Sequence, residues 1–422
     1  MIITVKEGDT LFSISNMYNV PVSKISADNG ITDDTLVTGQ SLIIAIPDKS
    51  ITTNQNTSAT QISQSYDISK KQLFRNNYFL NGEDFVPKDS FVVINYENPA
   101  LLSKITGGYA YDFISAKQLS SVINYLTYIM PFTYGFTSEG KLISPNDDYI
   151  LESAFSSGVK ALLHLSTLTG DGYFDSNLPS VIFSDLEIQA RLIDNIISRV
   201  EEKGYSGVDV DFEYLPESEK ENYVKFIELL SEKLHDIGKI LVVAVPPKTS
   251  GEQRGVLVEG IDYKELGIFA DYILVMAYEY GYKFGPPLAI APVNQVRKVL
   301  DYATENVESE KILLGIPNYG YDWALPYIRG ESDAPSISTV TAIQLAKEYG
   351  AEIMFDNEAM APYFFYTDTN GIKHEVWFED ARSYMAKVEL IEEYNLAGGF
   401  LWDLMRDNPQ GFVTLNALLD II

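Results

Sequence analysis

Short apolar runs alternate with helical patterns over most of the chain, starting near residue 105. Eight of these runs have the length of a buried strand, at residues 105–113, 125–134, 159–166, 207–213, 240–246, 272–278, 312–319 and 398–404. The segments between them carry apolar residues at helical spacing, for example at 185–203 and 218–234. Strands that alternate with helices form parallel sheets, and eight such units are typical of a closed (β/α)8 TIM barrel. The pattern therefore predicts an α/β protein built on this barrel.

The interval between the seventh and eighth apolar runs is too long for one strand–helix unit. Within it we expect a helix near residues 340–348 and strands near 361–368 and 374–378. Asn370-Gly371 lies between the two strands, and this dipeptide is a strong hairpin signal. The sequence therefore predicts a small α+β insertion at about 323–392, before the last barrel strand.

The first hundred residues contain a repeat. Ile14 and Tyr18 recur 48 positions later as Ile62 and Tyr66, and the apolar runs that close the two units also match. Each unit has the pattern strand, helix, helix, strand. We therefore expect two small βααβ modules, at residues 1–47 and 48–98, followed by the barrel domain at 99–422.

The fourth predicted strand carries three acidic residues, Asp209, Asp211 and Glu213, in alternation with apolar ones. Side chains two apart on a strand lie on the same face, about 6.6 Å apart. In a barrel the open end of the strands is where such a row meets water. Mutual repulsion raises the pKa of at least one of these carboxyls, and a carboxyl kept neutral at a cleft is a general acid. Protonation of the leaving group in glycoside hydrolysis is the commonest use of this arrangement.

The composition excludes several classes of partner and chemistry. The formal net charge of −28 over 422 residues argues against nucleic acid and anionic membranes. Cysteine is absent, which removes disulfides and thiol catalysis. The three histidines are dispersed without a metal-ligand spacing, and the sequence has no glycine-rich phosphate loop, so we expect neither a metal nor a cofactor. We also expect no membrane span and no secretory signal at the N-terminus.

The acidic strand resembles the signature D-G-x-D-x-D-x-E of family 18 glycoside hydrolases, with Ser206 at the first Asp. The resemblance implies that Glu213 protonates the glycosidic oxygen and that Asp211 orients the 2-acetamido group of the substrate. It also implies that Asp209 shares a proton with Asp211. In this family the acetamido oxygen of the substrate is the nucleophile, so one protein acid is enough.

Three later stretches also resemble the family. Residues 275–279 match its sixth strand, whose tyrosine hydrogen-bonds the acetamido carbonyl, and Tyr278 takes that position between Met276 and Glu279. Trp402 fits the tryptophan under the reacting sugar. Residues 315–323 fit the seventh strand and its cleft-lining loop. The resemblance therefore implies a substrate site that includes Met276, Glu279, Tyr319, Tyr321, Trp323 and Trp402.

The first module resembles LysM, a module that binds N-acetylglucosamine-containing glycans through two loops. The resemblance places the glycan contacts at Gly8, Asp9, Thr10, Leu11, Asp28, Asn29, Gly30 and Ile31. The second module is degenerate, since Gly8 and Asp9 become Asn56 and Thr57. Binding by the second module is left open.

Four further stretches, at residues 245–249, 281–287, 291–293 and 377–383, resemble spore-cortex-lytic N-acetylglucosaminidases of endospore-forming bacteria. With the modules before the barrel, this resemblance covers almost the whole chain. This implies a retaining, substrate-assisted hydrolase of bacterial peptidoglycan that is associated with the spore coat and cortex or with the cell wall. Two alternatives stay open at this point, a chitinase-like hydrolase and a catalytically silent glycan-binding coat protein. The oligomeric state and the choice between endo and exo cleavage are also open.

Overall fold

The structure is a computed structural model, and it describes residues 1–96 and 102–422. The first module contains β1 (Ile2–Thr4), α1 (Leu11–Tyr18), α2 (Val22–Asp28) and β2 (Ser41–Ile43). The second contains β3 (Lys49–Thr52), β4 (Thr57–Ser58), α3 (Ala59–Tyr66), α4 (Lys70–Asn76), β5 (Phe85–Val86) and β6 (Phe91–Asn95). Each module therefore has two helices and antiparallel strand pairs. The predicted boundary at 98–99 lies outside the described residues.

The remaining strands are β7 (Leu102–Tyr111), β8 (Tyr128–Phe132), β9 (Gly135–Phe136), β10 (Leu142–Ile143), β11 (Lys160–Ser166), β12 (Gly207–Asp211), β13 (Ile240–Val245), β14 (Tyr272–Val275), β15 (Ile312–Pro317), β16 (Gly320–Leu325), β17 (Ser336–Ile337), β18 (Met354–Asp356), β19 (Ala361–Thr367), β20 (Lys373–Trp377), β21 (Gly398–Trp402) and β22 (Leu419–Ile421). Nine of them pair in parallel: β22 pairs with β7 at the edge, and the other eight follow the order β7, β8, β11, β12, β13, β14, β15, β21. The ring closes between β21 and β7, so the predicted TIM barrel is confirmed.

The remaining helices are α5 (Ala116–Val122), α6 (Asp148–Ser156), α7 (Leu178–Ser184), α8 (Leu186–Lys203), α9 (Lys220–Asp236), α10 (Tyr263–Phe269), α11 (Val293–Asn306), α12 (Thr339–Glu348), α13 (Ala381–Glu393) and α14 (Pro409–Leu418). The bounds of the long helix α8 follow from the residues at its two ends. Asp185 caps its first turn by accepting from the N–H groups of Glu187 and Ile188. Gly204 ends it in the left-handed conformation, at φ 74°. None of the helices in the described residues is long and apolar enough to cross a membrane.

The barrel has two apolar layers because its strands are buried on both faces. Met130, Leu162, Leu274 and Leu313 pack inside the barrel. A larger cluster, with Val208 and Val210 on its strand side, fills the space between the strands and the surrounding helices. Because Val208 and Val210 of β12 face the helices, the aspartates that alternate with them, Asp209 and Asp211, are on the inner face of the barrel.

The insertion is a five-stranded antiparallel sheet in the order β17, β16, β20, β19, β18, with α12 packed on it. The predicted hairpin around Asn370-Gly371 is confirmed by the pairing of β19 with β20. The extra elements nevertheless run from Gly320 to Trp377 rather than from about 323 to 392. The difference arises because β16 follows β15 almost directly, and because α13 packs on the core of the barrel.

Both modules are docked onto the barrel domain. In the first module, Gly39 approaches the insertion so closely that a Cβ there would lie 1.8 Å from the carbonyl oxygen of Ile353. In the second module, Arg75 donates from Nε to the carbonyl of Asn124 at 2.7 Å and from a terminal nitrogen to that of Ile421 at 2.9 Å. Hydrogen bonds and close backbone packing therefore fix both modules relative to the cleft.

Candidate active site

The acidic strand β12 is aligned with β11 so that Asp209 is opposite His164 and Asp211 is opposite Ser166. The strand ends at Asp211, earlier than predicted, and Glu213 extends from the loop that follows. Tyr214 adopts φ 58°, a left-handed conformation that is rare for a bulky residue, directly after Glu213. The backbone thus turns sharply at the point where the third carboxyl enters the cleft.

A cavity of about 410 Å³ opens at the carboxyl ends of the barrel strands. It is lined by Tyr109, Tyr111, Phe132, Ser166, Thr167, Phe174, Ser176, Asp211, Glu213, Tyr214, Met276, Tyr278, Glu279 and Trp402. Its size suits a small ligand such as one or two sugar residues. Of the predicted catalytic residues, Asp211, Glu213 and Tyr278 line this cavity, and Asp209 lies beneath it.

Asp209 is completely buried and held by two donors. Its Oδ2 accepts from the hydroxyl of Tyr109 at 2.7 Å and is 2.8 Å from Nδ1 of His164. The second nitrogen of His164, Nε2, lies 3.9 Å from Oδ2 of Asp211. His164 is therefore placed between the two aspartates, and its ring stacks on Phe132 with centroids 4.9 Å apart.

Burial is the main electrostatic effect at the mouth of the barrel. Burial, followed by the neighbouring charge of Glu213, raises the pKa of Asp211 to about 8. Burial, followed by the charge of Glu279, also raises the pKa of Glu213 above its ordinary value. Both carboxyls therefore keep their protons at a higher pH than isolated carboxyls do. A protonated carboxyl that lines a cavity is equipped to act as a general acid.

Glu279 adds a third carboxyl to the cavity and is held in place by two tyrosines. Its Oε1 accepts from the hydroxyl of Tyr319, and from that of Tyr321 at 3.1 Å. Tyr319 and Tyr321 are themselves buried and do not line the cavity. The prediction that these two tyrosines contact substrate is therefore corrected, because their hydroxyls bind Glu279 instead.

Trp323 is also misassigned as a substrate contact. It is 1% exposed, and its indole N–H donates to the carbonyl of Gly285 at 2.9 Å. The residue is on the same face of β16 as Tyr321, two positions further on, and both rings pack in one aromatic cluster. Its role is to hold that layer against the barrel.

Aromatic rings form one wall of the cavity. Trp402 is at the end of β21, with its ring centroid 5.0 Å from that of Phe132 and 5.3 Å from that of Tyr109. Its partly exposed face and those of Phe132 and Tyr111 offer a platform of the kind that apolar sugar faces pack against. Trp402, Met276 and Glu279 are thus the predicted substrate residues that line the cavity.

A second cavity of about 220 Å³ adjoins the first. Glu213, Met276, Tyr278 and Glu279 line both cavities, and Pro247 is on the far wall of the second. The carboxyl of Glu213 therefore stands at the junction of two spaces. An extended ligand can place one unit on each side of this acid.

Tyr109, Phe132, His164 and Ser166 belong to the site, although the sequence analysis did not single them out. For two of them the sequence did contain a signal. His164 and Ser166 are two positions apart at the end of the predicted third strand, as Asp209 and Asp211 are on the fourth, and the two pairs lie opposite each other. Ser206, which replaces the first signature Asp, is at the start of β12 and does not line the cavity. In the described residues no group of three or more His, Asp or Glu side chains has an arrangement that could hold a metal ion.

The predicted glycan-binding residues of the first module fall into two groups. Gly8 and Thr10 are exposed, with Asp9 partly so, and the hydroxyl of Thr10 caps α1. The side chain of Leu11 packs in the module core, so a direct glycan contact by this side chain is corrected.

The second predicted loop is mostly occupied by the protein itself. Asp28 is 3% exposed and pairs with Lys24 at 2.6 Å. Asn29 is 2% exposed and hydrogen-bonds the backbone of Ile43 and the side chain of Gln410. These two predictions are therefore corrected as direct contacts, because both side chains are committed to internal partners.

Gly30 and Ile31 remain partly exposed. They line a narrow crevice against α12 of the insertion. A Cβ on Gly30 would approach Val340 to 2.9 Å, which indicates how tightly this loop meets the barrel domain.

Comparison with known proteins agrees with this geometry. The family model for glycosyl hydrolases family 18 matches residues 151–407, and the LysM domain model matches residues 3–45. The chain therefore belongs to family 18 of the glycosyl hydrolases, and it is a glycoside hydrolase with a LysM module at its N-terminal end.

Three relatives show how far the likeness extends. The chain is 32% identical to the cortical fragment-lytic enzyme of Bacillus anthracis, over 97% of this chain and 96% of that protein. The crystal structure of the Bacillus megaterium QM B1551 spore cortex-lytic enzyme SleL matches with a TM-score of 0.84 and 33% identity, over 100% of this chain and 98% of that one. The crystal structure of a chitinase from Chromobacterium violaceum matches with a TM-score of 0.69 and 26% identity, over 75% of this chain and 98% of that one.

Proposed function

We propose that this glycosidase is a retaining, substrate-assisted β-N-acetylglucosaminidase that hydrolyses bacterial peptidoglycan, with fragments of spore cortex as its substrate. The SleL and cortical fragment-lytic relatives match over nearly the whole chain, modules included, and this supports the choice of substrate. The proposal places the protein in the spore or at the cell wall, where its first module binds N-acetylglucosamine-containing glycan.

The observation that carries the proposal is the position of Glu213. Its carboxyl lines both cavities and has a raised pKa, beside Asp211 and Tyr278. In the proposed first step, Glu213 transfers its proton to the glycosidic oxygen as the bond from that oxygen to the anomeric carbon breaks. The acetamido oxygen of the same sugar bonds to the anomeric carbon and gives an oxazolinium ion. Attack within one sugar avoids the entropy of recruiting a separate nucleophile.

The second step returns the proton. Glu213, now a carboxylate, accepts a proton from water as the water oxygen bonds to the anomeric carbon and the oxazolinium ring opens. Asp211, with the shared proton on Asp209, accepts a hydrogen bond from the acetamido N–H and balances the positive charge of the ring, while Tyr278 donates to the acetamido group. Trp402 supports the apolar face of the reacting sugar. Two successive inversions retain the β configuration.

The test is Glu213→Gln with defined cortex muropeptides. We expect turnover to fall at least 10³-fold with folding and glycan binding retained, because glutamine keeps the shape and cannot supply the proton. Glu217→Gln is the matched control, since Glu217 is an exposed carboxyl near the same loop and pairs with Arg254 at 3.4 Å. Normal turnover by Glu213→Gln would contradict the proposed function.

The chitinase structure that covers three quarters of the chain favours a second candidate, hydrolysis of chitin. Both substrates present a 2-acetamido group to the same residues. Parallel assays on chito-oligosaccharides and on cortex muropeptides, with mass analysis of the new reducing end, distinguish them. Faster cleavage of the chito-oligosaccharides would mean that the substrate is chitin rather than peptidoglycan. If neither substrate is cleaved, the protein binds glycan without hydrolysing it.

A further inference from the structure

A crevice of about 370 Å³ lies where the second module meets the barrel domain. Helix α4 and Gly82 form one wall, and α5, α6 and the turn at Asn124 form the other. No residue that the sequence analysis assigned to catalysis or to glycan binding lines this space. We refer to it as the module crevice.

Contacts between the two walls hold the module crevice open. Lys71 donates from Nζ to the carbonyl of Leu126 at 3.0 Å, and the neighbouring Arg75 binds the carbonyl of Asn124. At Gly82 a Cβ would approach the carbonyl oxygen of Ser120 to 2.4 Å, so the backbones touch there. The space is therefore preformed, and a ligand does not have to move the module to enter it.

The lining of the module crevice is unusual for so acidic a chain. Of the described residues that line it, none is acidic, whereas Lys70 and Lys71 are both cationic. Ser153, Ser156 and Asn124 supply hydroxyl and amide groups, and Tyr149, a residue that is 42% exposed, supplies an aromatic ring. A ring beside several polar groups is the usual composition of a carbohydrate site.

The two lysines differ in their partners. Lys70 pairs with Asp84 at 2.9 Å on the exposed side. Within the described part of the chain, no carboxylate lies within 4.0 Å of the Lys71 ammonium. Burial, followed by repulsion from Arg75, lowers the pKa of Lys71 to about 8. An anion bound in the crevice would counteract the effects of burial and of Arg75 on Lys71, because it places a negative charge beside the ammonium group.

The module crevice and the catalytic cavity occupy opposite ends of the barrel. Asn124 comes before β8 and Ser156 before β11, at the amino ends of these strands. Glu213 and Trp402 lie at the carboxyl ends. A ligand in the crevice therefore does not compete with a sugar in the cleft.

We propose that the module crevice binds a carboxylate-bearing segment of the cell-wall glycan, with Lys71 on the carboxylate and Tyr149 against a sugar ring. This inference rests on the proposed function for the class of glycan. The crevice anchors one part of the wall while the cleft acts on another.

The experiment measures binding of anionic cortex muropeptides and of neutral chitotetraose to full-length protein by calorimetry, in a Glu213→Gln background that prevents turnover. We expect Lys71→Gln to weaken muropeptide binding at least fivefold and to leave chitotetraose binding unchanged. Lys264→Gln is the matched control, because it removes the same charge from an exposed position in α10 and should change neither affinity. Equal muropeptide affinity in the Lys71→Gln and Lys264→Gln proteins would overturn the proposal.

A second variant covers the case in which Lys71→Gln fails to fold. Ser156→Asp places a negative charge at the exposed edge of the crevice, and it should weaken muropeptide binding by repulsion. Unaltered binding to Ser156→Asp would contradict the proposal as well. Turnover of a small soluble glycoside by the Lys71→Gln protein with Glu213 intact should equal that of the native protein. A failure of the proposed binding in the module crevice can thus be distinguished from a failure of the proposed catalysis by Glu213.

Discussion

His164 and Asp209 form a fully buried pair beneath the cleft, with Nδ1 of the imidazole 2.8 Å from Oδ2 of the carboxylate. The other imidazole nitrogen, Nε2, has no hydrogen-bond partner among the described residues. It is directed at Asp211, 3.9 Å away. His164 thus orients Asp209, and when the imidazole is protonated its positive charge also acts on Asp211.

His164→Asn should lower kcat on the order of tenfold or more with little change in KM, because the asparagine amide can replace the Nδ1 donor but does not fill the space of the ring between Asp209 and Asp211, so the acids shift. Protonated His164 opposes the rise in the pKa of Asp211. Its removal should therefore also displace the pH–rate profile to higher pH. Tyr109→Phe removes the hydroxyl donor to Asp209 and keeps His164, so it should lower kcat and leave the profile in place. Equal profiles for the native and His164→Asn proteins would exclude the electrostatic role.

Asp211 should make stability depend on pH in a definite direction. Its pKa is about 8 in the folded chain, against about 3.9 in an unfolded chain. Between these values the folded state holds the extra proton, so the free energy of unfolding falls as pH rises through this window and levels off above it. Asp211→Asn removes this dependence and should be more stable than the native protein at pH 8.5, with little difference near pH 4. Urea unfolding at both pH values measures this, with exposed Asp236→Asn as control. A native advantage at pH 8.5 would contradict the burial argument.

Glu279→Gln should shift the alkaline limb of activity to lower pH. The charge of Glu279 is one cause of the raised pKa of Glu213, and an acid catalyst works only while it is protonated. Removing that charge lets Glu213 lose its proton earlier. Tyr321→Phe is the control, because it deletes one hydrogen bond to Glu279 and keeps the charge. An unshifted limb in Glu279→Gln would show that burial alone sets the pKa of Glu213.

Gly39→Ala should destabilise the docking of the first module. Gly39 and Gly8 both have positive φ, at 84° and 87°, so alanine costs about 1 kcal/mol or more at either position. A Cβ meets nothing within 4 Å at Gly8, but meets the backbone of Ile353 at Gly39. Gly39→Ala should therefore lose more stability and show a larger radius of gyration by small-angle X-ray scattering. Identical behaviour of the two variants would mean that this contact does not hold the module.

Most of the fold could be predicted because the barrel strands are buried on both faces and read as continuous apolar runs. The predicted run at 312–319, for example, contains β15, Ile312–Pro317. The insertion was harder to predict. Its hairpin was marked by Asn370-Gly371, whereas β17 has two residues and too short a pattern to recognise.

The grouping of Asp209, Asp211 and Glu213 at one site could be predicted because all three belong to one short segment of the chain. Other site residues were missed where their role depends on tertiary pairing. His164 becomes a site residue through the parallel register of β11 with β12, and Asn29 is removed from the glycan surface by Gln410, which is distant in sequence. The spacing of residues in a sequence does not predict which loops will be covered by another domain.

The rigid mounting of the two N-terminal modules fixes their distance from the catalytic cleft. Modules on a flexible linker would let the catalytic cleft sweep a volume of wall around each attachment point. Here Gly39 and Arg75 lock both modules to the body of the enzyme. With the function proposed above, the distance between the glycan bound by the first module and the bond cleaved at Glu213 is therefore constant, and the protein must release the wall before it can cleave at a different distance.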